Sequence, residues 1–158
     1  MKFVADGMLG RLVRWIRILG YDTVYLVHTD DETVMKTAAT EERILLTMDA
    51  ELYRKSVLRK INAHLVKSFD HLEQLVDLAV RFDLRLEVNP RTSRCPLCNS
   101  PLQKITRHEV EGKIPHSSIL LSKDFWECVG CGKLYWQGSH WKNINAQLTR
   151  ARELSALK

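Results

Sequence analysis

Two groups of residues in this 158-residue chain have types and spacings suited to chemistry. The first is four cysteines, in Cys95-Pro96-Leu97-Cys98 and Cys128-Val129-Gly130-Cys131, with none left over. Two Cys-x-x-Cys knuckles supply four thiolates for tetrahedral Zn²⁺, a closed structural site. Asn99 follows the first pair and Gly132 the second, and each suits a tight turn that needs positive φ. The 29 residues between the pairs exceed the usual spacing, so a zinc ribbon here must carry a long arm. Two disulfides are the alternative, which an intracellular chain disfavours. A redox Cys-x-x-Cys is another, but neither pair falls at a strand–helix junction.

The second group is acidic. Asp6 follows an apolar stretch directly, Asp30 and Asp31 follow the next after a few residues, and Asp49 closes Leu45-Leu46-Thr47-Met48-Asp49. Carboxylates brought together repel one another, and a divalent cation removes that cost. Oxygen-only ligands select Mg²⁺ or Mn²⁺, which activate water and balance charge developing on a phosphodiester. Each acid also has a plain structural role open to it. Thr29-x-x-Glu32 fits a capping box around Asp30 and Asp31, Asp49 suits a helix N-cap, and Asp6 a surface turn.

The elements needed to position these acids are legible over the first 90 residues. Short apolar or β-branched stretches, Lys2–Ala5, Thr23–Val27, Arg43–Thr47 and Ile61–Val66, read as strands. Between them lie helical patterns over Met8–Leu19, Asp31–Glu42, Ala50–Leu58 and Asp70–Phe82. Repeated strand–helix units predict a parallel sheet with right-handed crossovers, and the carboxyl ends of its strands share one edge. The acids are therefore expected to converge there. In the first helix Leu9, Leu12, Val13, Ile16 and Leu19 share the inward face, and Arg11, Arg14 and Arg17 are expected together on the outward one, holding phosphates.

Composition sets the remaining bounds. Residues 1–90 carry 13 Lys and Arg against 14 Asp and Glu, while residues 91–158 carry 11 against 5, so the basic excess follows the cysteines. Asn89-Pro90-Arg91-Thr92-Ser93 reads as a connector, dividing a body at 1–90 from a zinc ribbon with a C-terminal helix at 91–158. A basic tail suggests a nucleic-acid partner, although ordinary solubility charge explains it too. Phe125, Trp126, Tyr135, Trp136 and Trp141 crowd this region, either to fill a small core or to stack on unpaired bases. A basic helix is expected over Asn143–Leu157, with Ile144, Leu148 and Leu154 inward. An apolar fraction of 45% excludes a disordered chain. No apolar run approaches the roughly 20 residues of a membrane span, and Asp6 precedes any leader-like core. A soluble, cytoplasmic protein is expected.

Three stretches together resemble the Mut-seven C-terminal RNase family, PIN-like nucleases with a C-terminal zinc ribbon. They are Phe3-Val4-Ala5-Asp6-Gly7-Met8-Leu9-Gly10-Arg11-Leu12, with Arg14-Trp15 and Leu19-Gly20-Tyr21-Asp22 behind it; Asp30-Asp31-Glu32 followed by Ile44-Leu45-Leu46-Thr47-Met48-Asp49; and the knuckles followed by Tyr135-Trp136-Gln137-Gly138-Ser139-His140-Trp141. The resemblance implies an α/β, PIN-like three-layer domain with a parallel sheet, followed by the ribbon. It implies metal-dependent cleavage of single-stranded or structured RNA, with Mg²⁺ or Mn²⁺ held by Asp6, Asp31 and Asp49. Asp30 is the neighbouring alternative to Asp31, and Asp70 is a candidate for a fourth acid. Association with a ribosome or an RNA-processing assembly is a further partner class. Two other readings remain: a non-catalytic RNA- or ribosome-associated module with vestigial acids, and a receiver-like phospho-signalling domain. The second wants an acid beside Asp6, where Ala5 and Gly7 stand, and a lysine after a later strand, which Lys67 offers.

Overall fold

The computed structural model describes residues 1–157. Strands β1 (Lys2–Ala5), β2 (Asp22–Tyr25), β3 (Ile44–Thr47) and β4 (Ala63–Leu65) form a parallel sheet in the order β2-β1-β3-β4. Helices α1 (Gly10–Ile18), α2 (Asp31–Thr40), α3 (Ala50–Leu58) and α4 (His71–Phe82) alternate with them. The period-two alternation of the strands sorts the core into two layers. Phe3, Ala5 and Leu46 face α1 and α4, whereas Val4 and Leu45 face α2 and α3. The result is the expected three-layer α/β body with all strand carboxyl ends on one edge.

A second sheet follows, antiparallel, of β5 (Leu102–Ile105), β6 (Phe125–Cys128) and β7 (Leu134–Trp136) in sequence order. The long arm between β5 and β6 holds two short helices, α5 (Arg107–Val110) and α6 (His116–Leu121). Val110 and Ile119 pack on Phe125 to give the arm a small core of its own. No helix among the described residues is long and apolar enough to cross a membrane.

Residue 90 falls between the strands of the two sheets, and the C-terminal helix does not stay with the ribbon. Helix α7 (Ser139–Ser155) returns to the body and packs along α4. Leu148 and Ala151 are fully enclosed in the same cluster as Leu75, Leu78 and Ala79. A single basic amphipathic helix carries no local signal of which core receives its stripe. Charge and cysteine position alone point to the ribbon.

The connector is packed rather than loose. The Arg94 amide donates to the Arg17 carbonyl at 2.9 Å, beside the Gly20 amide that shares it, and the Ser93 hydroxyl donates to the Ile18 carbonyl at 2.7 Å at the end of α1. Gly20, at φ 98°, turns the chain from α1 into β2, and a Cβ there would meet the Thr92 carbonyl oxygen at 2.9 Å. Leu148→Ala is expected to cost about 3 kcal/mol, the ordinary loss for an enclosed leucine, measurable by urea denaturation. If α7 were a peripheral appendage, the loss would be negligible.

Candidate functional site

The carboxyl edge of the parallel sheet gathers the acids with unequal closeness. Asp6 lies one residue past β1, and its amide donates to the Leu46 carbonyl of β3 at 3.3 Å. Its Oδ2 accepts from the Thr47 hydroxyl, and its Oδ1 from the Met8 amide at 3.3 Å. The same Thr47 hydroxyl accepts from the Asp49 amide at 2.9 Å. Thr47 is fully buried at the end of β3, so one hydroxyl ties the first acid to the turn that carries the third. Asp49 is the N-cap of α3, its Oδ1 accepting from the Glu51 and Leu52 amides at 2.7 and 3.1 Å.

Asp31 opens α2 and is held by Lys55 of α3, with Nζ 3.2 Å from its Oδ2. Asp30 is the N-cap of α2, and Thr33 engages both its oxygens, through its amide at 2.9 Å and its hydroxyl at 2.8 Å. Asp70 caps α4 through the Leu72 and Glu73 amides at 2.9 and 3.0 Å. Hydrogen bonds from Thr33 hold Asp30 below the usual carboxylate range, and bonds from the α4 amides, Glu73 first, do the same for Asp70. Among the described residues, no three carboxylates bring their oxygens within 4.8 Å of one another. Asp6 and Asp49 are linked, Asp31 stands by Lys55, and Asp30 and Asp70 serve as caps.

The basic face expected on α1 divides. Arg11 and Arg14 are exposed, but Arg17 is buried. Each three-residue step falls about 60° short of a full turn, so the third arginine drifts toward the packed side. Its guanidinium donates to the Thr23 carbonyl at 2.9 and 2.8 Å, the Pro96 carbonyl at 3.1 Å and the Leu97 carbonyl at 2.8 Å. Arg17 therefore holds the first knuckle to the body and is not available to a phosphate.

The four cysteines converge as their spacing predicts. Their sulfurs all lie within 4.8 Å of one another, with Cys95 3.7 Å from Cys131 and Cys98 3.3 Å from Cys128. A tetrahedron with metal–sulfur arms of about 2.3 Å has edges of roughly 3.8 Å, so the cage is close to the size zinc requires. The knuckles repeat one backbone pattern. The Asn99 amide donates to the Cys95 carbonyl and the Gly132 amide to the Cys128 carbonyl, each at 2.9 Å. Asn99 and Gly132 take φ of 71° and 70°, the left-handed turn expected of both. The Gly130 and Cys131 amides point at the Cys128 sulfur, each at 3.4 Å. A hydrogen bond from Ser100 pushes the Cys98 thiol down to about 6, which favours the thiolate a metal binds. Burial and the neighbouring Cys95 push the Tyr135 phenol up, and its oxygen lies 3.1 Å from the Cys95 sulfur. A neutral phenol there donates to the thiolate and fixes it.

A family model of the Mut7-C RNAse domain matches residues 1–148. The chain belongs to the Mut7-C RNase-domain family. Membership gives it a ribonuclease-type function with RNA as substrate class. No curated protein and no solved structure matches the chain.

Three residues that shape this Mut7-C domain are not marked by their sequence context. Thr47 is recognisable only as a hydroxyl ending an otherwise apolar strand. Lys55 has nothing that singles it out from other surface lysines. Tyr135 looks like one more core-filling aromatic. Elemental analysis of protein purified without added metal is expected to find one zinc per chain. Stripping it should expose the arm between the knuckles to protease before the body unfolds, because metal binding supplies the knuckles' folding free energy. Zinc near zero with oxidised cysteines would refute the assignment.

Proposed function

We propose that this Mut7-C domain is a divalent-metal-dependent ribonuclease of PIN type that works at the carboxyl edge of its parallel sheet. The observation that carries the reading is the Thr47 hydroxyl, which joins the Asp6 carboxylate to the Asp49 turn. The donor set there is all hard oxygen, which suits Mg²⁺ or Mn²⁺. Asp6 and Asp49 would hold the ion, with Asp31 as a further ligand. When bound, that ion supplies an activated water and balances charge on the phosphodiester. Thr47 orients Asp6, and the first turn of α3 fixes Asp49 by two amide hydrogen bonds. Lys55 keeps Asp31 partnered, and Glu51 shares the same ammonium at 3.0 Å. Arg11 and Arg14 on α1, which begins just past Asp6, are exposed and would engage RNA phosphates.

Asp6→Asn and Asp49→Asn keep size and much of the hydrogen bonding but remove a ligand charge. Each should lower cleavage by about a hundredfold or more, with fold and RNA affinity retained. Thr47→Val keeps the shape and loses the bridging hydroxyl, and should cost about 10- to 100-fold. Cleavage of mixed RNA with Mn²⁺ or Mg²⁺ measures both. Arg14→Glu should weaken RNA binding and flatten its salt dependence by about 0.7 for each phosphate no longer neutralised. Unchanged affinity and slope would remove Arg14 from the interface.

The separation of the carboxylates favours a second reading, an RNA-binding module that does not cut, since no three of them lie within 4.8 Å among the described residues. Titration with Mn²⁺ separates the two. A protein that binds no divalent ion at Asp6 and Asp49, and whose Asn variants behave as wild type, is the binding module.

A further inference from the structure

Helix α7 carries one apolar stripe, Trp141, Ile144, Leu148 and Ala151, but buries only half of it in the body. Leu148 and Ala151 are enclosed among the residues of α1 and α4. Ile144 packs against the edge of that cluster, and with Trp141, nearer the helix N-terminus, it also lines a cavity of about 170 Å³. Its other walls include Trp126, Tyr135 and Trp136 of the ribbon sheet and Pro90 of the connector. The recess is partly open to solvent, and its lining is dominated by apolar and aromatic side chains. An apolar cavity of roughly 150 Å³ accepts a benzene-sized ring. The space therefore fits a single six-membered aromatic ring.

We propose that this cavity receives one unpaired base of an RNA strand, a pyrimidine before a purine. The proposal deepens, and rests on, the reading of RNA as substrate. The walls argue for an aromatic occupant, since three indoles and a phenol offer faces and edges for offset or edge-on stacking. Phe125 fills the core of the arm, and Trp136 packs against that core as well as lining the cavity, whereas Trp126 and Tyr135, cross-strand neighbours on β6 and β7, line it together with the half-exposed Trp141. His140 sits edge-on to Trp136, with ring centroids 6.3 Å apart.

Charge at the mouth argues for a nucleotide over a neutral apolar ligand. The cavity shares Pro90, Leu102 and Trp126 with an adjoining polar cleft that holds Arg91 and Lys104. Lys104 is paired with Asp124. The Arg91 guanidinium is exposed and has no bonded partner among the described residues. A base in the aromatic slot would leave its phosphate on the side of Arg91. Stacking of this kind is tolerant of sequence, because every base has a π face, and the limited volume supplies the preference for the smaller ring.

The test is fluorescence anisotropy with a labelled oligouridylate of about ten nucleotides, without added divalent ion so that cleavage does not enter. Wild-type protein should bind it with quenching of tryptophan emission. Trp141→Ala should lose about tenfold in affinity, Trp141→Phe should recover most of that loss, and oligoadenylate should bind more weakly than oligouridylate. An abasic strand of equal length has the phosphates without the rings and should bind weakly, with no quenching. The abasic comparison uses wild-type protein, so it decides the matter even if Trp141→Ala fails to fold. Equal affinity and quenching with the abasic strand, a folded Trp141→Ala that binds as wild type, or no binding by wild type overturns the base slot. Cleavage with Mn²⁺ is scored separately. Protein that shows the Trp141 and base dependence yet never cuts overturns the nuclease alone, whereas protein that cuts RNA and ignores Trp141→Ala overturns the slot alone.

Discussion

The buried guanidinium of Arg17 is the interaction on which the joining of the two sheets depends. It takes the Thr23 carbonyl of the edge strand β2 with one side of its fork and the Pro96 and Leu97 carbonyls of the first knuckle with the other. Burial works against its charge, while the thiols of Cys95 and Cys98 act in its favour. Four thiolates around a zinc dication leave a formal excess of about two negative charges, so loading the metal strengthens the field that Arg17 sits in. Removing the arginine would leave backbone acceptors dry at the junction, at about 1–3 kcal/mol for each group left without a partner.

Asn99 completes the same joint from the ribbon side. Its left-handed backbone closes the knuckle, its Oδ1 accepts from the Thr23 amide at 3.0 Å, and its Nδ2 donates to Asp22 at 2.7 Å. Asp22 is in turn held by Arg43, with atoms 3.0 Å apart. Thr23, on an open edge of the parallel sheet, thus has both its backbone groups engaged by side chains, which protects that edge from pairing with another strand. The cysteine cluster, the edge strand and α1 form one connected unit, and the carboxyl edge with its acids lies at the opposite end of the same strands.

Much of this is legible in the residues, for reasons that differ from element to element. The strand–helix alternation follows from short apolar runs and amphipathic periods that tertiary context does not override. The knuckles and their two left-handed turns are local geometry, so Cys-x-x-Cys with Asn or Gly behind it is enough. Arg17 departs from the expected basic face because a three-residue spacing looks like one face over two turns and drifts off it over three. Helix α7 joins the body rather than the expected ribbon because an apolar stripe states that it must be buried and not where. The short distance between Asp6 and the Asp49 turn depends on a buried threonine hydroxyl, and a threonine at the end of a strand carries no pattern that marks it as a bridge.

The return of α7 has a consequence for how the chain must acquire its structure. Leu75 and Leu78 of α4 share their core with Leu148 and Ala151, so part of the body's interior stays open until a helix beginning at Ser139 has been made. During synthesis the body emerges first, with an apolar face exposed to solvent and to chaperones. Between α4 and α7 lie the ribbon and its arm, and a flexible span of that length would make closure of the last helix slow and entropically costly. Docking of the first knuckle onto β2 shortens the span that remains to be closed. The ribbon then serves as a clasp in the order of folding, bringing the final helix to the groove that waits for it.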